Sequence, residues 1–377
     1  MCDKCGGALF YKYNLTLVSE TISKENLKDR DDSFWKFKEV LPLSSPKRIV
    51  SLGEPYTPII HFPKAVRTPP DSVYVKDDGR LPTGTFKARG MAVAVSLLKE
   101  HGVKSVVIPS AGNAAAALAA YGTKAGIKVY AFMPKDVPKN ILKECVFGGA
   151  SIFLTNGVIS DAAQIANKYS EKHGCFDIST NKQPYRFEGY KAIAFELAEQ
   201  FSWSLPDVIL FPTGGGEGII GLWKGFKELM DLDWIDRIPR LVVVQSSGCA
   251  PIVKAFEKGD NEVKEAWKNP ETIAAGLRVP KPFASYLILR AIRETRGLAV
   301  AVDDRDILSS MKALLHRGIY AGPEASATLA GLVKLVDQSL LNREDKTLLY
   351  ITGTAMKSLD LLHVDVTQLP VVSRESA

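Results

Sequence analysis

From about residue 104 the chain alternates short apolar runs with longer stretches of helical character. Lys104–Pro109 (KSVVIP) is β-branched and ends at a turn, which predicts a strand. Asn113–Gly126 (NAAAALAAYGTKAG) is rich in alanine and stopped by glycine, which predicts a helix. The alternation continues with a strand at Val129–Pro134, a helix around Lys139–Gly149, a strand at Ser151–Thr155 and a helix over Asp161–His173. A second set follows. Asp207–Gly218 (DVILFPTGGGEG) reads as a strand running into a glycine loop, and Ile219–Met230 as the helix after it. Arg240–Gln245 and Thr347–Gly353 are further strands of the buried type. Such alternation implies βαβ units on parallel sheets, hence two α/β lobes with a ligand-binding cleft between them. Residues 1–45 break the pattern. They are charged and aromatic, lead into Pro42 and Pro46, and predict an N-terminal arm packed on the body.

Composition narrows the picture only at the edges. A chain of 377 residues, 46% hydrophobic and 24% charged, can bury the cores of two domains. The formal net charge is +6, but Lys and Arg are spread along the chain, so a nucleic-acid partner is not expected. No apolar run approaches the roughly 20 residues that span a bilayer, and the N-terminus lacks the pattern of a signal peptide. Five thinly spread cysteines argue against a disulfide framework and for a reducing compartment, with the cytoplasm expected. Cys2 and Cys5 form a C-x-x-C pair, half of what a structural zinc site needs. Cys145, Cys175 and Cys249 stand alone in core-like segments, and the five histidines fall in no ligand spacing, so no metal is expected.

Three stretches carry candidate chemistry. Thr213–Gly218 (TGGGEG) lies between a strand and a helix, where backbone N–H groups and the helix dipole suit an anion; a tight packed turn is the plain alternative. The spacing is neither a dinucleotide fingerprint nor a P-loop. Ser110–Asn113 (SAGN) repeats the strand–loop–helix layout and could receive a carboxylate, although Ser110 and Asn113 also suit ordinary helix capping. Lys87, in Leu81–Gly90 (LPTGTFKARG), is the third. A lone lysine is usually a solvated one. A lysine in an apolar setting with two anion loops is what pyridoxal-phosphate chemistry requires.

The ordered set PTGTFKARG, SAGNAAAALAAY, TGGGEG and ITGTAMK resembles the fold-type II pyridoxal-phosphate enzymes, and within them the threonine synthases. Leu52–Ile60 (LGEPYTPII), Asn181–Lys191 (NKQPYRFEGYK), Thr272–Pro282 and Ala321–Leu332 are similar to segments of that family. The resemblance runs from about residue 35 to near the C-terminus. It implies two open, twisted, mainly parallel sheet domains flanked by helices, with the cofactor in the cleft. The division expected is an arm over 1–45, a large cofactor-binding domain from 46–90 and 182–377, and a small α/β domain over 91–181. It further implies that Lys87 carries the cofactor covalently and moves protons, beside Phe86. Asn113 would bond the cofactor's ring hydroxyl, Gly214, Gly215, Gly216, Glu217 and Gly218 would hold its phosphate, and Thr352 would face the ring nitrogen. Ser110, Ala111 and Gly112 would take the substrate carboxylate, Arg186 the substrate phosphate, and Thr85 would also touch the substrate. The implied reaction converts O-phospho-L-homoserine and water to L-threonine and phosphate, in a homodimer. Ala88, Ala114 and the Thr354–Ala355 pair depart from the family pattern. They leave room for a serine or threonine dehydratase, or for a β-replacement enzyme acting on phosphoserine or acetylserine. A binding module without catalysis is the remaining alternative.

Overall fold

Among the residues described by this computed structural model (1–62, 72–363, 365 and 367), ten strands form two sheets flanked by helices. Parts of the expected large domain, residues 63–71 and most of those beyond 363, lie outside the described residues.

In chain order the strands are β1 (Ile59–His61), β2 (Val73–Asp77), β3 (Ser105–Pro109), β4 (Lys128–Pro134), β5 (Ser151–Thr155) and β6 (Phe176–Asp177). They continue with β7 (Val208–Pro212), β8 (Arg240–Ser246), β9 (Leu298–Val302) and β10 (Thr347–Ile351). One sheet has the order β1-β2-β10-β7-β8-β9, parallel except for the β1–β2 pair; the other has the order β5-β4-β3-β6 and is parallel throughout. Every residue of β7 and of β10 is buried, as expected of strands covered on both faces.

The helices are α1 (Leu15–Thr21), α2 (Lys87–Glu100), α3 (Asn113–Ala125), α4 (Lys139–Phe147), α5 (Ile159–His173) and α6 (Tyr185–Gln200). After them come α7 (Glu217–Asp231), α8 (Pro251–Glu257), α9 (Ser285–Glu294), α10 (Asp304–Leu315) and α11 (Pro323–Asp337). The expected domain boundary at 90/91 falls inside α2, which packs on α3 of the small lobe and on α6. The α2–α6 crossing is close: a Cβ on Gly189 would stand 2.1 Å from the Arg89 carbonyl oxygen.

Helix α6 is buried along most of its length, so its charged residues find partners inside the protein. Arg89 donates to Asp78 at 2.7 Å and to Glu196 at 2.7 Å, and Lys76 pairs with the same Glu196. Lys191 pairs with Glu188 at 2.8 Å and Glu228 at 2.9 Å. The N-terminal arm closes over this second group. The Tyr13 hydroxyl donates to Glu188 at 2.9 Å, and the Phe10 ring packs edge-on against Phe187 at 5.1 Å. Val18, Ile22 and Leu27 are buried in the same core.

Candidate active site

A cavity of about 510 Å³ lies where helix N-termini from both lobes converge. The first residues of α2, α3, α7 and α11 all line it, so the positive dipole ends of four helices face a common space.

Lys87 begins α2 after a turn whose Thr83 (φ 63°) and Gly84 (φ 65°) are both left-handed. For threonine that conformation is strained, and it is held from outside. The Phe86 N–H donates to the Thr352 carbonyl at 2.8 Å, and the Thr354 N–H to the Gly84 carbonyl at 2.9 Å. The segment after β10 thus fixes the turn that carries the lysine. Phe86 packs against Tyr190 and Phe211, at 5.1 and 5.8 Å between ring centroids, and the Lys87 ammonium lies 4.6 Å from the Phe86 centroid.

Lys87 Nζ reaches Glu217 Oε2 at 3.1 Å, and Arg186 donates to that same oxygen at 2.5 Å. Burial pushes the Lys87 amine below its ordinary value; Glu217 opposes the shift and Arg186 adds to it. The other Glu217 oxygen and the Thr85 hydroxyl are buried without a hydrogen-bond partner among the described residues.

The glycine loop divides by what surrounds each position. A Cβ on Gly214 would stand 2.2 Å from the Gly276 carbonyl oxygen, and one on Gly218 2.5 Å from the Phe211 ring. Gly216 has φ 86°, and its Cβ would meet Ile288 at 2.2 Å. At these three positions the absence of a Cβ is a packing requirement. Gly215 differs, since its Cβ would press only the Thr180 methyl, at 2.9 Å.

In the second loop the Ser110 hydroxyl accepts from the N–H groups of Gly112 at 3.1 Å and Ala115 at 3.2 Å, which is a capping arrangement. Ala111 and Asn113 line the cavity with it, and Thr352 does so from the opposite side.

Two expectations about side chains change. Arg186, assigned by resemblance to the substrate phosphate, is 1% exposed and is not among the residues lining the cavity. It is committed to Glu217 and, at 3.2 Å, to the Ile178 carbonyl. Glu217, grouped with the phosphate loop, turns its carboxylate away to the two cations. A dianionic phosphate beside that carboxylate would be repelled, so only the Glu217 backbone suits the loop's task.

Lys357 ends the ITGTAMK stretch. It lines the cavity and donates to Asn113 Oδ1 at 3.2 Å. Lys182 and Arg278 also line the cavity, paired with Asp177 at 3.3 Å and Asp136 at 2.8 Å. No periodicity or spacing marks any of these three. Cys2 and Cys5 lie on the arm, where the backbone N–H groups of Cys5 and Lys4 hold the Cys2 thiol below its usual value. Among the described residues no three His, Cys, Asp or Glu side chains are placed to hold a metal ion.

Comparison with known proteins agrees with this geometry. The family model for pyridoxal-phosphate dependent enzymes matches residues 50–353. The threonine synthase of Methanocaldococcus jannaschii is 34% identical over 95% of this chain and 88% of its own length. That of Methanosarcina acetivorans is 34% identical over 98% of this chain and 91% of its own. Maize serine racemase superposes with a TM-score of 0.68 at 21% identity, covering 83% of this chain and 89% of its own, which speaks to the fold. A lysine on a strained turn, two helix-capped loops and these relatives together place the chain in the family of pyridoxal-phosphate-dependent enzymes.

Proposed function

We propose that the protein is a threonine synthase, converting O-phospho-L-homoserine and water to L-threonine and phosphate. The observation that carries this reading is that its curated relatives are threonine synthases along nearly the whole chain.

The residues present fit the cofactor. Lys87 offers an amine inside the cavity, the α7 N-terminus offers backbone donors for a phosphate, and Gly215 leaves space beside them. Asn113 and Thr352 supply an amide and a hydroxyl for the ring oxygen and the ring nitrogen. Bound there, the cofactor supplies an electron sink. This chain's own residues do the rest. Lys87, whose amine burial pushes toward the neutral form, removes the proton from the substrate α-carbon and, after handing that proton on, one from the β-carbon. The Ser110–Asn113 loop fixes the substrate carboxylate with backbone N–H groups, which aligns the bonds to be broken. The γ-phosphate departs toward Lys182 and Arg278, two of the cations at the cavity wall, in place of Arg186. The γ-carbon that the phosphate leaves takes up one of the two protons and becomes a methyl group. Water adds its hydroxyl at the β-carbon, with its proton going to the released phosphate, and Lys87 returns the other proton to the α-carbon.

Action as a homodimer in the cytoplasm belongs to the same reading, and light scattering tests the assembly. The two-domain division does too, with α2 now grouped across the boundary rather than cut by it.

A second reading, dehydration of an unphosphorylated hydroxy amino acid, is favoured by one observation: the Arg186 guanidinium is held by Glu217 and Ile178. One assay separates the two. Phosphate release from phosphohomoserine and phosphoserine is measured beside 2-oxo acid formation from threonine. Rapid phosphate release from phosphohomoserine alone supports the synthase; oxo acid from threonine as the main activity overturns it.

A further inference from the structure

Lys357 joins the lobes at the cavity wall. Its backbone belongs to a short helical turn, Ala355–Lys357, just beyond Thr352 at the end of β10. Its stem lies over the turn that carries the catalytic lysine, with Cε 3.3 Å from where a Cβ on Gly84 would stand. From there its amine crosses to the small lobe. It is held by both oxygens of Glu144 on α4, at 2.9 and 2.7 Å, and it donates to Asn113 Oδ1 at 3.2 Å. The lysine side chain is 15% exposed and the glutamate side chain 30%, so the ion pair is partly shielded from water.

The chemistry of the pair decides how Asn113 can act. An ammonium has donors and no acceptor, so it can meet only the oxygen end of an amide. With Oδ1 engaged, the end of Asn113 left for a ligand is Nδ2, a donor. An unrestrained asparagine could turn over and offer its oxygen, which would repel an anionic ring oxygen. Glu144 keeps the ammonium in place and balances its charge, so that Lys357 holds the amide without standing as a bare cation in the cavity.

We propose that Lys357 is a positioning residue. It locks the Asn113 amide so that Nδ2 is presented to the ring oxygen of the bound cofactor, and Glu144 anchors it in that task. The inference rests on the reading of Asn113 as a cofactor ligand.

Four variants test it: Lys357→Met, Lys357→Arg, Asn113→Ala, and Lys357→Met with Asn113→Ala. Each is prepared free of cofactor and titrated with pyridoxal phosphate, following absorbance and tryptophan fluorescence, with the melting temperature of the free protein as the control for folding. Lys357→Met and Asn113→Ala should each weaken binding about tenfold, the size of one charge-assisted contact. The double variant should bind as Asn113→Ala does, because the lysine acts only through the amide. Lys357→Arg, which keeps a donor, should recover most of the loss. If Asn113→Ala binds like the unaltered protein, the underlying reading of Asn113 is wrong. If Asn113→Ala is weakened but Lys357→Met is not, the role of Lys357 alone is overturned. That role is also overturned if the two losses multiply in the double variant, or if Lys357→Arg is as weak as Lys357→Met.

Discussion

Two cations, Lys87 and Arg186, share one oxygen of one buried carboxylate. Three ionised groups there would leave a net positive charge in a poorly solvated place, and arginine does not give up its proton. Lysine is the group that can yield, which agrees with the downward push that burial and Arg186 exert on its amine. A neutral amine is the form that accepts protons and attacks an aldehyde. Two predictions belong at this scale. Borohydride reduction of the cofactor-loaded protein, followed by peptide mapping, should label Lys87; Lys87→Ala should abolish label and turnover, and label on another lysine would remove Lys87 from its role. The second concerns Glu217, which raises the lysine's proton affinity. Glu217→Gln should therefore lower it further, so that in the cofactor-free protein the pH midpoint for acylation of Lys87 by an amine reagent moves down. A midpoint that stays or rises means the carboxylate does not control the amine.

Elements place these residues, and the glycine loop before α7 does so by two different demands. Alanine at Gly216 must adopt a left-handed backbone and displace Ile288, which should cost about 2–4 kcal/mol of fold stability. Alanine at Gly215 meets only the Thr180 methyl and intrudes on the space beside the loop's N–H groups. Gly216→Ala should thus lower the melting temperature of the cofactor-free protein, while Gly215→Ala should mainly weaken pyridoxal-phosphate binding. Equal losses of stability in both variants would make the whole loop structural. The legibility of the elements follows a similar division. Strands β3, β4, β7, β8 and β10 are legible as apolar runs bounded by turns, because both of their faces are covered. Strand β2 is not, since Lys76 and Asp77 within it are charged and yet buried, Lys76 satisfied by Glu196 and Gln200 far along the chain and Asp77 by Gly79 and Arg80 in the turn that follows. Helix α6 has no apolar stripe to read, because it is enclosed on all sides and carries Arg186, Glu188, Lys191 and Glu196 inside. Lys87 and its two loops are legible because their chemistry is local in sequence. The partners that tune them, Glu217 with Arg186 and Lys357 with Asn113, meet only through the tertiary fold.

Across the whole molecule, the buried set Arg89, Asp78, Glu196 and Lys76 ties α2 to the large sheet and to α6, and so holds the lysine-bearing helix in place. Burial alone would raise the Glu196 carboxyl; Arg89 and Lys76 outweigh it and hold the group at about 2. A carboxyl held low in the folded state contributes stability that is present above its unfolded value near 4.5 and is lost as pH falls toward about 2. The size is about 3–4 kcal/mol, from the gap between those two values at about 1.4 kcal/mol per pH unit. Denaturant unfolding between pH 2 and 6 should show this fall, and Glu196→Gln should be weaker at pH 6 with a flatter profile in that window. An unchanged slope would shift the acid sensitivity to other groups. The order of strands has a consequence of another kind. Strand β10, close to the end of the described chain, lies between β2 and β7, which are made much earlier. As the polypeptide leaves the ribosome, the small sheet has all its strands by residue 177, whereas the large one lacks an inner strand until residue 351 has emerged. Thr352, whose carbonyl pins the Lys87 turn, arrives with it. Assembly of the catalytic cleft therefore waits until residue 352 has been made, and until then β2 and β7 present edges with no strand between them, the kind of edge that invites wrong pairing.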